Sequence, residues 1–181
     1  KLSDYEFFRE PISKQIANDS IFPYRISTPL FTDYAFKSRF IMLPEGNRIT
    51  YISDDKFDFP VGTIFIKTFY YPSDFRVPEE NWNIIETRLL VHTIEGWTGY
   101  PYIWDNEQTD AFLEIAGGRQ NVSWVDNKGV TQSVNYRIPN FNMCKDCHMI
   151  DNIFRPIGPK PRIINYDDTY EGISQNQLEK M

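Results

Sequence analysis

The chain has two cysteines and two histidines, and three of these four residues stand together as Cys144-Lys-Asp-Cys147-His148. On a helical turn, positions three and four apart share a face. Two thiols at that spacing reach two points on the edge of one flat group, and the imidazole that follows comes from the same side. This is the C-x-x-C-H pattern, in which the thiols bond the vinyl groups of a porphyrin and the histidine meets its iron. With no other thiol in the chain, no disulfide competes. The spacing predicts one covalent haem c on Cys144 and Cys147, with His148 as an axial ligand.

Three plainer readings compete with it. A structural zinc site takes four ligands, and only His92 is left to join Cys144, Cys147 and His148, two of which are adjacent. A thioredoxin-like pair sits at a helix start in a βαβ unit, whereas the preceding region reads as all β. A chance occurrence would leave buried thiols. The second axial position is open. His92 is the candidate metal ligand beside His148, against a plain reading as a sheet histidine with a satisfied hydrogen bond. Met143 and Met149 flank the motif on the proximal side, and Met42 reads as core. Arg155, Lys160 and Arg162 follow the motif, spaced by stiffening prolines, and are candidates to bind the haem propionates; the competing reading is a solvated basic loop. Lys67 either faces the pocket or lies exposed on its strand.

The elements that must position these residues are strands. Aromatic residues make up 16% of the chain, which suits a pleated surface. Twelve prolines and nine glycines argue for many turns and short helices. Alternating runs at Thr63 to Tyr71, Ile85 to Ile94 and Gly99 to Trp104 predict strands, with shorter ones at Phe40 to Leu43, Arg48 to Ser53 and Ala111 to Ile115. Val122 to Val125 and Val130 to Tyr136 flank the turn Asp126-Asn-Lys-Gly129, a hairpin. Before them, Pro11 limits any helix to about two turns on either side, and residues 21–35 read as a loop anchored by Phe22, Tyr24, Phe31 and Tyr34. The expected fold is mainly β: one domain over residues 1–181, an antiparallel sheet or sandwich with short peripheral helices. Residues 140–165 form the haem-attachment and proline-rich segment. The run from Gln175 to Met181 reads as a helix cut short, so the chain is expected to be a fragment of a longer one.

A net charge of -6, with no stripe of Lys and Arg, excludes a nucleic-acid partner. No apolar run approaches the roughly 20 residues of a membrane span. Gly117-Gly118 is too isolated for a phosphate loop, and no carboxylate pair or triad suggests acid–base catalysis.

Taken in order, TPLFTDYAFKSRFIMLPEG, FPVGTIFIKTFYY, IETRLLVHTIEGWTGYPYIWDNEQTDA, NMCKDCH and IGPKPRIIN resemble an uncharacterised family of bacterial diheme c-type cytochromes over most of the chain. The resemblance implies export, electron transfer, and haem-binding positions at Cys144, Cys147 and His148. The family's second C-x-x-C-H segment is absent here. A looser similarity, through FPVGTIFIKTFYY, Gly96-Trp97 and the late C-x-x-C-H, is to cytochrome P460 and the β-sheet cytochromes c-prime, and implies an antiparallel β fold around the haem.

The functional expectation is an exported, periplasmic or extracellular electron carrier or relay. Its partner would be a redox protein, a neighbouring haem subunit or further copies of itself. The rival class is a haem enzyme or gas-binding protein with an open distal face for peroxide, a nitrogen oxide or hydroxylamine.

Overall fold

The computed structural model describes residues 1–150 and 152–181, with the side chains of all of these except 144–147. The chain begins with two short 3-10 turns, Ser3–Tyr5 and Ile12–Lys14. The strands follow: β1 Ile21–Pro23, β2 Phe36–Met42, β3 Thr50–Ser53, β4 Lys56–Asp58, β5 Ile64–Pro72, β6 Trp82–Thr93, β7 Gly96–Trp104, β8 Ala111–Leu113, β9 Gly118–Val125 and β10 Thr131–Ile138. Then come helix α1 Phe141–His148, β11 Met149–Ile150, β12 Ile153–Phe154, α2 Pro161–Ile164, β13 Asp167–Tyr170, β14 Ile173–Asn176 and α3 Gln177–Lys180. The fold is mainly β, and its helices are short. Among the described residues no helix is long and apolar enough to cross a membrane.

Six strands form one sheet in the order β1-β2-β5-β6-β7-β8, and every neighbouring pair is antiparallel. The run IFIKTFYYP makes β5 a central strand. It is buried on both faces, which explains why it is apolar at nearly every position rather than at every second one. The one residue of β5 that is not buried is Lys67.

The two faces of the sheet are covered differently. On one, Ile64, Ile66, Tyr70, Leu89, Tyr102 and Trp104 pack under Leu2, Phe7, Phe8 and Ile12 of the N-terminal segment. Thr68 and Thr87 are buried among them and share a 2.9 Å hydrogen bond, and the Trp104 indole N–H donates to Thr87 at 3.0 Å. On the opposite face two separate apolar clusters form. At one end Phe69, Tyr71 and Ile85 pack against Val122, Trp124, Tyr136 and Ile138 of the β9–β10 hairpin. At the other end Ile41, Phe65 and Leu90 pack under Tyr24, Phe59 and Ile164, with Leu178 and Met181 from the C-terminal end. The middle of that face is polar, and it carries the candidate site.

Several expectations are corrected in detail. Phe31 and Tyr34 are not anchors: they stack edge to face with each other on the surface, 66% and 62% exposed. Phe22 and Tyr24 do pack inward. The loop expected over residues 21–35 contains β1, and β6 starts at Trp82, earlier than its apolar run suggests. The Gly117-Gly118 pair is the entry to β9. A Cβ on Gly117, whose φ is +71°, would lie 2.6 Å from the Ile138 carbonyl oxygen, so the hairpin closes only on glycine.

The C-terminal segment is tied down by Gln177, which is fully buried. Its amide oxygen accepts from the Arg25 N–H at 2.8 Å and the Tyr170 hydroxyl at 3.0 Å, and its NH2 donates to the Arg25 and Ile164 carbonyls, both at 3.3 Å. Gln177→Leu leaves these groups buried without partners, at a cost of about 1–3 kcal/mol. Hydrogen exchange at the β13 and β14 amides should speed up in this variant. Exchange there at the wild-type rate would mean that Gln177 does not hold the segment.

Candidate functional site

Three adjacent strands of the sheet carry cations: Lys37 and Arg39 in FKSRFIM, Lys67 in IFIKTFYYP and Arg88 in WNIIETRLLVHT. Antiparallel register sets them in one row, with Arg39 opposite Lys67 and Lys67 opposite Arg88. Directly opposite residues share a face. The next row is Lys37, Phe69 and Glu86. Three cationic groups therefore ring the Phe69 side chain, with Arg88 at 4.3 Å, Lys67 at 4.8 Å and Lys37 at 6.0 Å from its centroid.

Glu86 lies two residues before Arg88 and so shares its face, and a β-bulge lies directly beside it. Phe69 pairs with Glu86 but Tyr70 pairs with Ile84, so Ile85 is the extra residue. Ile85 consequently joins the hairpin-side cluster on the same face as Glu86. The Glu86 carboxylate is fully buried. It accepts two bonds from the Arg88 guanidinium, at 2.8 and 2.6 Å, and one from the Tyr136 hydroxyl at 2.7 Å. Burial pushes the Tyr136 phenol far above its usual range, and the adjacent Glu86 charge pushes it further.

The cations press on one another. Burial pulls the Lys67 amine down from 10.5 to about 7, and Arg39, Arg88 and Lys37 add to this, with Glu86 opposing. Burial likewise lowers Lys37 to about 8. One guanidinium nitrogen of Arg39, Nη2, is buried and has no hydrogen-bond partner.

Beside this band lies His148. α1 and β12 lie against β7, and the tight pair β11–β12 turns the chain back on itself. The Arg155 N–H accordingly donates to the His148 carbonyl, and the His148 Nδ1–H donates to the Arg155 carbonyl, each at 3.0 Å. Phe154 lies against the imidazole at 5.6 Å. Burial lowers the His148 pKa, the Arg155 bond opposes this, and the Lys67 and Arg88 charges lower it further. At neutral pH the ring is neutral. A carbonyl can only accept, so the proton sits on Nδ1 and Nε2 carries the lone pair.

The remaining candidates are placed elsewhere. His92 lies in β6, stacked on Trp97 at 4.4 Å, with Nδ1 held by the Phe59 and Pro60 carbonyls at 2.9 and 3.2 Å. It is a sheet histidine in a satisfied hydrogen bond. Lys160 and Arg162 both pair with Asp55, beside the β3–β4 hairpin, and Arg155 is used through its backbone at His148. Met42 packs on the N-terminal side of the sheet. Cys144 and Cys147 fall in α1, but their side chains, and so the expected thioether bonds, lie outside the described residues. Two shallow surface hollows hold none of the candidates.

Among the described residues, no three His, Cys, Asp or Glu side chains come together as a group that could hold a metal ion. This overturns the expected haem c cofactor and the expectation of metal binding. The physical reason lies in how the described groups are held: His92 is hydrogen-bonded within its sheet, and Glu86 beside the band is bonded by Arg88 and Tyr136. What the described residues assemble is a cationic band beside one neutral imidazole. Arg39, Arg88, Lys37, Glu86 and Tyr136 went unmarked in the sequence reading. The available signal was a cation inside each of three strand-like runs, Arg39, Lys67 and Arg88. Comparison of the chain with protein-family models, with curated proteins and with solved structures gives no match.

Proposed function

We propose that this domain is an exported electron-transfer module, with the Phe141–His148 segment as its redox-active end. The single observation that carries the reading is the state of His148. Its ring is neutral, oriented through Nδ1–H to the Arg155 carbonyl, and directly preceded in sequence by the chain's two cysteines. A fixed imidazole that follows a Cys-x-x-Cys pair in sequence supports a redox role for this segment. The sequence resemblance to c-type cytochromes supports the same role and carries the expectation of export. A relay of this kind meets its partner through a small, short-lived interface.

The test is a potentiometric titration of the native protein followed in the visible, with intact mass and thiol alkylation measured alongside. A reversible transition is expected, abolished in C144S/C147S while the far-ultraviolet circular dichroism stays unchanged. A native chain with no reversible transition would remove the reading.

A further inference from the structure

We propose that the Lys37, Arg39, Lys67 and Arg88 band binds a small doubly charged oxyanion of the phosphate or sulfate type, seated between Arg39 and Lys67. This goes beyond the electron-relay reading and does not depend on it. Like charges directly opposite on a sheet repel, yet Arg39, Lys67 and Arg88 stand opposite one another across three adjacent strands. Among the described residues, Glu86 on that face is already bonded by Arg88 and Tyr136. Asp33 is near enough to Lys37 for its charge to favour the protonated amine. Among the described residues, Lys37, Arg39 and Lys67 make no ion pair.

Two features point to a bound acceptor rather than to simple hydration. The Arg39 Nη2 is buried and lacks a hydrogen-bond partner. The band is also bounded at both ends by apolar clusters, which lower the local dielectric and strengthen any charge met there. Arg39, Lys37 and Lys67 are each partly accessible, so solvent ions reach them. Neighbouring strands are about 4.8 Å apart. One compact oxyanion therefore meets both the Arg39 fork and the Lys67 ammonium, and a planar fork with a point donor suits such a ligand.

The test is isothermal titration of the 181-residue chain with sodium phosphate and with sodium sulfate, using sodium chloride at matched ionic strength as the reference. Saturable binding is expected for either divalent oxyanion and not for chloride. Lys67→Met and, independently, Arg39→Met should each weaken it by about tenfold or more. Arg119→Gln, on the exposed side of β9, should leave it unchanged. Absence of saturable binding, or equal affinity in the wild type and both methionine variants, would overturn the proposal. Loss of the redox transition would leave this result untouched, so the two readings fail separately.

Discussion

Glu86→Ala is expected to cost about 3–5 kcal/mol of folding stability, the range for breaking a buried ion pair from one side. The carboxylate has no exposure and three hydrogen bonds. Its removal leaves the Tyr136 hydroxyl buried without its acceptor and takes a negative charge from the face that carries Lys37, Arg39, Lys67 and Arg88. Part of the cost is the lost bonding and part is the repulsion released among Lys67, Arg88 and Arg39. Glu86→Gln separates the two. It keeps the shape and one acceptor but not the charge, and should cost less than Glu86→Ala. Tyr136→Phe alone should cost about 1 kcal/mol. The Glu86→Ala and Tyr136→Phe effects should add to more than the double variant loses, because both remove one bond. Urea unfolding of the four variants measures this. A Glu86→Ala cost below about 1 kcal/mol would show that solvent or a rearranged side chain replaces the carboxylate.

Lys67→Met should stabilise the protein at neutral pH. The amine falls from 10.5 to about 7 on folding, chiefly through burial and then through Arg39, Arg88 and Lys37. Between those two values the unfolded chain binds a proton that the folded chain releases. Stability therefore rises with pH from about 7 to 10.5, and is lowest, so far as this residue decides, once both states are protonated. The full depression corresponds to about 5 kcal/mol, and water reaching the partly accessible amine reduces the measurable gain in Lys67→Met to about 1–3 kcal/mol at pH 7. Lys37, which folding lowers to about 8, contributes a slope of the same sign over the upper part of that window. His148, whose pKa folding also lowers, contributes a slope of the same sign at lower pH, where the unfolded chain takes up its proton first. Thermal unfolding of wild type and Lys67→Met from pH 6 to 10 in chloride checks the sign. The two curves should converge as pH rises. Parallel curves would mean that Lys67 keeps its proton in the folded chain.

These two residues show how a device can be locally ordinary and collectively unusual. A lysine at the centre of a strand, or a glutamate two residues before an arginine, carries little information alone. Here strand pairing places them within bonding or repelling distance, and the cost of either change follows from neighbours far along the chain. Tyr136 is 50 residues from the Glu86 it bonds.

Read alone, the sequence determined the class of the fold, because strand period, aromatic content and turn residues are local properties. Thr63 to Tyr71, Ile85 to Ile94, Gly99 to Trp104 and the hairpin around Asp126-Asn-Lys-Gly129 all lie within strands or turns where their patterns place them. It also determined the one chemically distinctive segment, Cys144 to His148, and its place on a helix. It misjudged Phe31 and Tyr34, since hydrophobicity says what a residue tolerates and not whether a surface is there to receive it. Tertiary structure alone decided that Arg39, Lys67 and Arg88 form a row, because register belongs to pairs of strands. It alone turned Ile85 and Glu86 onto one face, because a bulge breaks the alternation from which faces are read. It also fixed His148 through the Arg155 carbonyl and engaged His92 within its sheet. Hydrogen bonding and burial depend on which neighbours the folded chain brings near, and those neighbours are not written beside a residue in sequence.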